Sequence, residues 1–179
     1  MLEANNAVFV CIDVQKILAA VMYEKEPLFD NLKKSLAGCA ALGVPVIWTE
    51  QNPDRLGPTR PDIAACMPDS KPLSKMSFSC LGEPTFVQHL QQLQRRQVLL
   101  AGIEAHICVY QTACDLVAQG YEVQVVADCV SSRVLYNKEI GLAKITAGGA
   151  ELTTTEIMLF ELLKTAAAPQ FRDIAKIVK

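Results

Sequence analysis

The sequence predicts an α/β protein: one three-layer, Rossmann-like domain built on a mainly parallel, doubly wound sheet. Two observations predict it. Short apolar runs alternate along the chain with stretches whose apolar residues recur at helical spacing. The runs are continuous rather than alternating, so each strand has both faces covered, as strands of parallel sheets do. A length of 179 residues fits a single domain spanning 1–179 with a sizeable core.

The elements follow in order. Residues 7–12 form an apolar run that ends at Asp13. Leu28, Leu32, Leu36 and Cys39 then recur at helical spacing, with Gly43 as a stop signal. Residues 44–48 read as a second strand, with Pro45 near its start, where a missing N–H is tolerated. Residues 49–82 carry five prolines and little periodicity and read as a long loop. Phe86, Leu90 and Leu93 mark the next helix, which leads into a buried strand at 97–101. After Gly102 the pattern turns helical again, with Ile107, Tyr110, Cys114 and Val117 on one side and Gly120 as the stop. A strand at 121–127, a helix around 137–147 and a short strand at 151–152 come next. Thr153 and Glu156 have the spacing of a capping box for a helix carrying Ile157 and Phe160, and Pro169 sets off a short amphipathic tail.

Composition excludes several function classes. A net charge of −2 gives no electrostatic footprint for nucleic acid. No apolar run has the length of a membrane span, and the amino terminus lacks a basic segment followed by an apolar core. Seven scattered cysteines without a C-x-x-C pair fit neither a disulfide framework nor a structural zinc site. The expectation is a cytoplasmic, or at least intracellular and reducing, location, organelles included.

Cys108 sits where the buried strand at 97–101 gives way to a helix. Helix N-terminal N–H groups favour a thiolate, and the carboxyl end of a parallel sheet is where α/β proteins place their chemistry. Asp13 ends the first strand at the same sheet edge, and Lys75 lies in the long loop. Together they supply a base, a cation and a thiol, which nucleophilic catalysis at neutral pH requires. Cys108 also reads as a buried small hydrophobe, Asp13 as a solvated strand end, and Lys75 as an exposed loop residue. His106 precedes Cys108 by two residues, a spacing that does not bring helical side chains face to face, so it reads as structural; His89 reads as surface.

Five segments carry a family resemblance: Cys11-Ile-Asp-Val-Gln15, Trp48-Thr-Glu-Gln51, Lys75-Met-Ser-Phe-Ser-Cys80, Gly102-Ile-Glu-Ala-His-Ile-Cys-Val109 and Gly149-Ala-Glu-Leu-Thr-Thr-Thr-Glu156. In this order and spacing the chain resembles the isochorismatase-like cysteine hydrolase superfamily over nearly its full length. It is most similar to the branch of isochorismatase domain-containing proteins. The resemblance implies a six-stranded sheet of order 3-2-1-4-5-6, homo-oligomers, and a triad of Asp13, Lys75 and Cys108. It further implies a covalent acyl-enzyme formed from a small amide, ureide or carbamoyl compound. An oxyanion hole from the Glu104 and Cys108 N–H groups and a cis Ile103–Glu104 peptide belong to the same set.

The departures are as informative. True isochorismatases of the superfamily lack the cysteine and cleave a vinyl ether, so Cys108 favours C–N hydrolysis. Nicotinamidases carry an Asp-x-His metal motif after the second strand; here Thr49-Glu-Gln-Asn52 stands there, and no metal or other cofactor is expected. Leu18 replaces an aromatic residue usual in the pocket wall, and Gln15, Gln51 and Phe78 are further pocket-lining candidates. Two other classes stay open: a catalytically idle scaffold or binding protein on this fold, and a thiol redox sensor acting through Cys108.

Overall fold

The computed structural model describes residues 1–179. Its elements are β1 (Ala7–Ile12), α1 (Lys16–Ala19), α2 (Lys25–Leu42), β2 (Val46–Gln51), α3 (Pro53–Leu56), α4 (Pro61–Ala64) and β3 (Leu73–Lys75). There follow α5 (Pro84–Gln92), β4 (Gln97–Ile103), a π-helical turn (Ala105–Val109), α6 (Tyr110–Ala118), β5 (Glu122–Ser131), α7 (Leu135–Ala147), β6 (Glu151–Thr153), α8 (Thr155–Leu163) and α9 (Phe171–Ile177). The six strands form one sheet in the order β3-β2-β1-β4-β5-β6, parallel at every pairing.

Strand periodicity divides the core in two. On β1, Phe9 and Cys11 point into a cluster shared with Leu32 and Leu36 of α2, Leu159 of α8 and Ile174 of α9. Val8, Val10 and Ile12 point the other way, against Phe86 of α5, Ala113 and Leu116 of α6 and Ile145 of α7. Every residue of β1 and β4 is buried, which is why their sequences are apolar without alternation. Burying each large side chain of this kind contributes roughly 1.5–3 kcal/mol.

Gly102 brings the two central strands together at their carboxyl ends. Its φ is +113°, and a Cβ there would collide with the Ile12 carbonyl oxygen. Only glycine fits. The β4–β5 register shifts between Leu100 and Gly102, and the chain then leaves the sheet through the cis Ile103–Glu104 peptide into the π turn.

Three local expectations are corrected. The expected loop at 49–82 holds the end of β2, two short helices and the edge strand β3, which pairs through Gln51↔Lys75. Three residues, Leu-Ser-Lys, are too few to show a period. The face of α6 that sinks deepest is Thr112, Ala113 and Leu116, with Cys108 and Val109 before it, whereas Ile107, Tyr110 and Val117 pack only partly buried on the flank. The π turn adds a residue to the first turn and so displaces the face counted from 107. Finally, the cap of α8 is Thr154, whose hydroxyl accepts from the Ile157 N–H at 3.3 Å; Thr153 is the last residue of β6.

Candidate active site

Three side chains meet at the carboxyl edge of the sheet. Asp13 follows β1 in the left-handed region (φ 53°), a conformation aspartate tolerates better than most residues. This turn directs its carboxylate inward, fully buried. Thr49 Oγ1 of β2 donates to Asp13 Oδ1 at 2.8 Å, and Lys75 Nζ stands 2.7 Å from Oδ2. Lys75 reaches this point because β3 pairs at the sheet edge beside β2. Its ammonium also donates to Gln51 Oε1 at 2.7 Å and to the carbonyls of Ser77 and Phe78 at 3.1 Å each. Burial alone favours loss of the Lys75 proton, but the Asp13 charge prevails and holds Lys75 above its ordinary range. The cation is fixed.

Cys108 lies on the π turn, buried beside the same carboxylate. Its thiol is pushed up to about 12, first by burial and then by the Asp13 charge; Lys75 pulls it down by less. This reverses the sequence expectation of a thiolate favoured by the helix N-terminus. The reason is the surroundings: α6 begins only after the π turn, and a dry wall and a carboxylate outweigh a partial dipole. Cys80, also buried, adds a second thiol near the pair, raised to about 11 by burial against the pull of Lys75.

A small cavity of about 130 Å³ opens onto Cys108, lined by Leu18, Gln51, Leu56, Phe78, Ile103, Glu104, Ile107 and Cys108. Leu18, Gln51 and Phe78, candidates for the pocket wall in the sequence, line it, with Phe78 at the rim and 55 % exposed. Gln15 does not line it. Its buried amide accepts from the Gln51 N–H at 2.8 Å and donates to the Gln51 and Gly57 carbonyls at 3.0 and 2.7 Å, so every polar atom ties loop to sheet. Leu56 and Ile107 line it as well, without a sequence signal for that place: Leu56 sits in the stretch without periodicity, and Ile107 reads as part of a helix face. Larger hollows lie elsewhere, notably about 370 Å³ around Met1, Gln97, Glu122 and Glu151 at the opposite sheet edge, but no thiol or histidine lines that one. The carboxyl edge carries the chemistry.

Glu104 shapes the turn before Cys108. Its Oε2 accepts from the Arg133 N–H at 3.0 Å and from Arg133 Nε at 3.2 Å. Its carbonyl accepts from the N–H groups of Ile107 and Val109, while its own N–H donates to no acceptor within the chain. Behind the turn, His106 Nδ1 pairs with Ser132 Oγ at 2.9 Å, a structural role. No three His, Cys, Asp or Glu side chains group as metal ligands.

The parallel sheet, with a thiol on the turn after a central strand near an acid–lysine pair, defines a doubly wound α/β protein with a candidate site at the carboxyl edge of its sheet. The chain belongs to the isochorismatase domain family, whose model matches residues 7–157 and whose members are hydrolases. It is 37% identical over 184 residues to the secreted isochorismatase effector Isc1 of Phytophthora sojae, covering 100% of this chain and 87% of that protein. It is also 37% identical over 177 residues to isochorismatase domain-containing protein 2 of Xenopus laevis, with 98% and 84% coverage. Among solved structures, MAR1 ribonuclease from Caenorhabditis elegans superposes with a TM-score of 0.93 at 30% identity, covering 99% of this chain and 91% of that one. No helix is long and apolar enough to cross a membrane.

Proposed function

We propose that the chain is a cysteine hydrolase that cleaves the C–N bond of a small amide, ureide or carbamoyl compound through Asp13, Lys75 and Cys108. The observation that carries this is the buried Asp13–Lys75 pair at 2.7 Å with the buried Cys108 thiol under the influence of both charges, at the floor of a small apolar cavity. A thiol at about 12 is ionised at pH 7 to roughly one part in 10⁵. The proton therefore leaves as the bond forms. Cys108 Sγ attacks the carbonyl carbon while Asp13 takes its proton. The Glu104 and Cys108 N–H groups receive the oxyanion, a role that the unengaged Glu104 N–H supports. Collapse of the tetrahedral intermediate passes that proton to the departing ammonia or amine and leaves a thioester. Water, giving its proton to Asp13, then releases the acid and restores the thiol. Lys75 holds the Asp13 carboxyl group in place throughout.

The name of the C. elegans neighbour speaks of RNA. Here a net charge of −2 and a cavity of about 130 Å³ favour a small molecule over nucleic acid. The redox-sensor reading is disfavoured as well, since sensor thiols are exposed and low in pKa and Cys108 is neither. Seven unpaired thiols fit a reducing compartment such as the cytosol. Exposed Val134, Tyr136 and Ile140 at the start of α7 support self-association into a homo-oligomer, which light scattering would measure.

The test is ammonia or amine release from a panel of small amides, ureas and carbamoyl compounds. Turnover that vanishes in Cys108→Ser and falls about 10³-fold or more in Asp13→Asn supports the reading. Turnover that survives Cys108→Ser contradicts it.

A further inference from the structure

The cavity over Cys108 also selects the acyl group. Five of its eight lining residues, Leu18, Leu56, Phe78, Ile103 and Ile107, present hydrocarbon. The polar heads of the others are largely spent inside the protein. Gln51 receives Lys75 on its oxygen and gives its nitrogen to the Met76 carbonyl at 2.9 Å. Glu104 gives one oxygen to Arg133, and its other oxygen has no partner within the chain. No lysine, arginine or histidine lines the space. Lys75 is bound to Asp13, and Arg133, 58% exposed, is held by Glu104 and is not a lining residue.

An anionic acyl group entering here would exchange much of its water for a hydrocarbon wall and find no free cation, since Lys75 and Arg133 are already held by Asp13 and Glu104. A desolvated charge without a partner is among the most unfavourable arrangements a binding site can present. A neutral hydrocarbon meets the opposite situation. At about 130 Å³ the cavity is small, which suits a short acyl chain rather than a long one.

We infer that the substrate is a neutral amide with a short, uncharged, branched or linear aliphatic acyl chain, and that carboxylate-bearing acyl groups are excluded. This rests on the proposed hydrolysis, and it narrows the substrate class rather than the chemistry.

Isovaleramide and malonamate separate charge from shape, because two methyl groups of the first stand where the carboxylate oxygens stand in the second. Hydrolysis by the full chain is measured as kcat/KM. Binding to Cys108→Ala, which lacks the nucleophile, is measured by ligand-observed NMR. The expected result is at least about 100-fold preference for isovaleramide in both readouts. From acetamide through propionamide to butyramide, kcat/KM should climb roughly four-fold per methylene, and then fall for octanamide as the cavity overfills. Leu56→Arg, checked for native fold by circular dichroism, should shift the preference toward malonamate. Malonamate bound or hydrolysed as well as isovaleramide by the unaltered chain overturns the inference and leaves the hydrolase reading standing. Selective binding of isovaleramide, with no turnover of any compound in the amide, urea and carbamoyl panel, overturns the hydrolase reading and with it the substrate assignment, and leaves only the cavity's preference for uncharged groups. Failure of both amides to bind or react overturns the inference, and the hydrolase reading then stands or falls on Cys108-dependent release of ammonia or amine from the ureas and carbamoyl compounds of the panel.

Discussion

At the scale of single residues, the site is a buried ion pair with a thiol set against it. Such a pair is costly to break from one side, because the remaining charge stays buried without a partner. Lys75→Met should therefore destabilise the fold by about 3–5 kcal/mol in urea titrations, and adding Asp13→Asn should recover part of that loss. The same charges govern the thiol. Asp13 raises the Cys108 pKa and Lys75 lowers it, so the two substitutions should move alkylation in opposite directions. In Asp13→Asn, Cys108 should react faster with iodoacetamide at pH 8, and in Lys75→Met more slowly, as peptide mass spectrometry would read. For the unaltered chain the rate should rise about ten-fold per pH unit from 7 to 10, since the thiolate fraction grows that fast below a pKa of about 12. A rate already level at pH 7 would show a thiolate at rest.

At the scale of elements, two glycines set the turn that bears the nucleophile. Gly102 lets β4 press on Ile12, and Gly102→Ala should cost roughly 3 kcal/mol or more, through both a positive φ and a backbone clash. Gly141 of α7 is a subtler case. Its helical backbone accepts alanine, but the added Cβ would lie 2.8 Å from His106 Cα, on the π turn two residues from Cys108. Gly141→Ala should lower kcat more than it lowers the melting temperature. An unchanged kcat would mean that the turn yields without moving Cys108. How legible an element was follows its physics. β1 and β4 are buried on both faces, so continuous apolar runs announce them, and Asp13 and Cys108 could be placed at one sheet edge from their ends. β3 is a three-residue edge strand, so Lys75 read as a loop residue, and only the motif order tied it to the site. The π turn has no sequence signature, hence the misplaced α6 face and the opposite sign expected for the thiol. Gln15 shows another limit of sequence: a glutamine beside a site looks the same whether it faces substrate or, as here, spends its amide on the backbone.

At the scale of the whole molecule, the buried thiols link stability to pH. Burial holds Cys80 at about 11 and Cys108 and Cys129 at about 12 and raises Cys11 and Cys39 further, against 9.0 for a free thiol. A folded pKa above the unfolded one means that the folded state keeps protons the unfolded state gives up. That stability is complete below pH 9 and is lost as pH climbs toward 11–12. Each such thiol contributes about 2 kcal/mol of loss at pH 10.5. Urea midpoints under reductant should be level from pH 7 to 8.5 and drop steeply by 10.5; a level midpoint to 10.5 would mean that these thiols ionise without unfolding the chain.

The central claim is that Cys108 attacks a carbonyl while Asp13 takes its proton, and intact-mass spectrometry on quenched turnover mixtures tests it most directly. With isovaleramide, an adduct of the mass of the isovaleryl group should appear on the peptide containing Cys108 and disappear as isovalerate accumulates. It should be absent from Cys108→Ser, and in Asp13→Asn it should form far more slowly even though that thiol alkylates faster. An adduct on Cys80 instead, or an Asp13→Asn chain that acylates at the unaltered rate, would contradict the account.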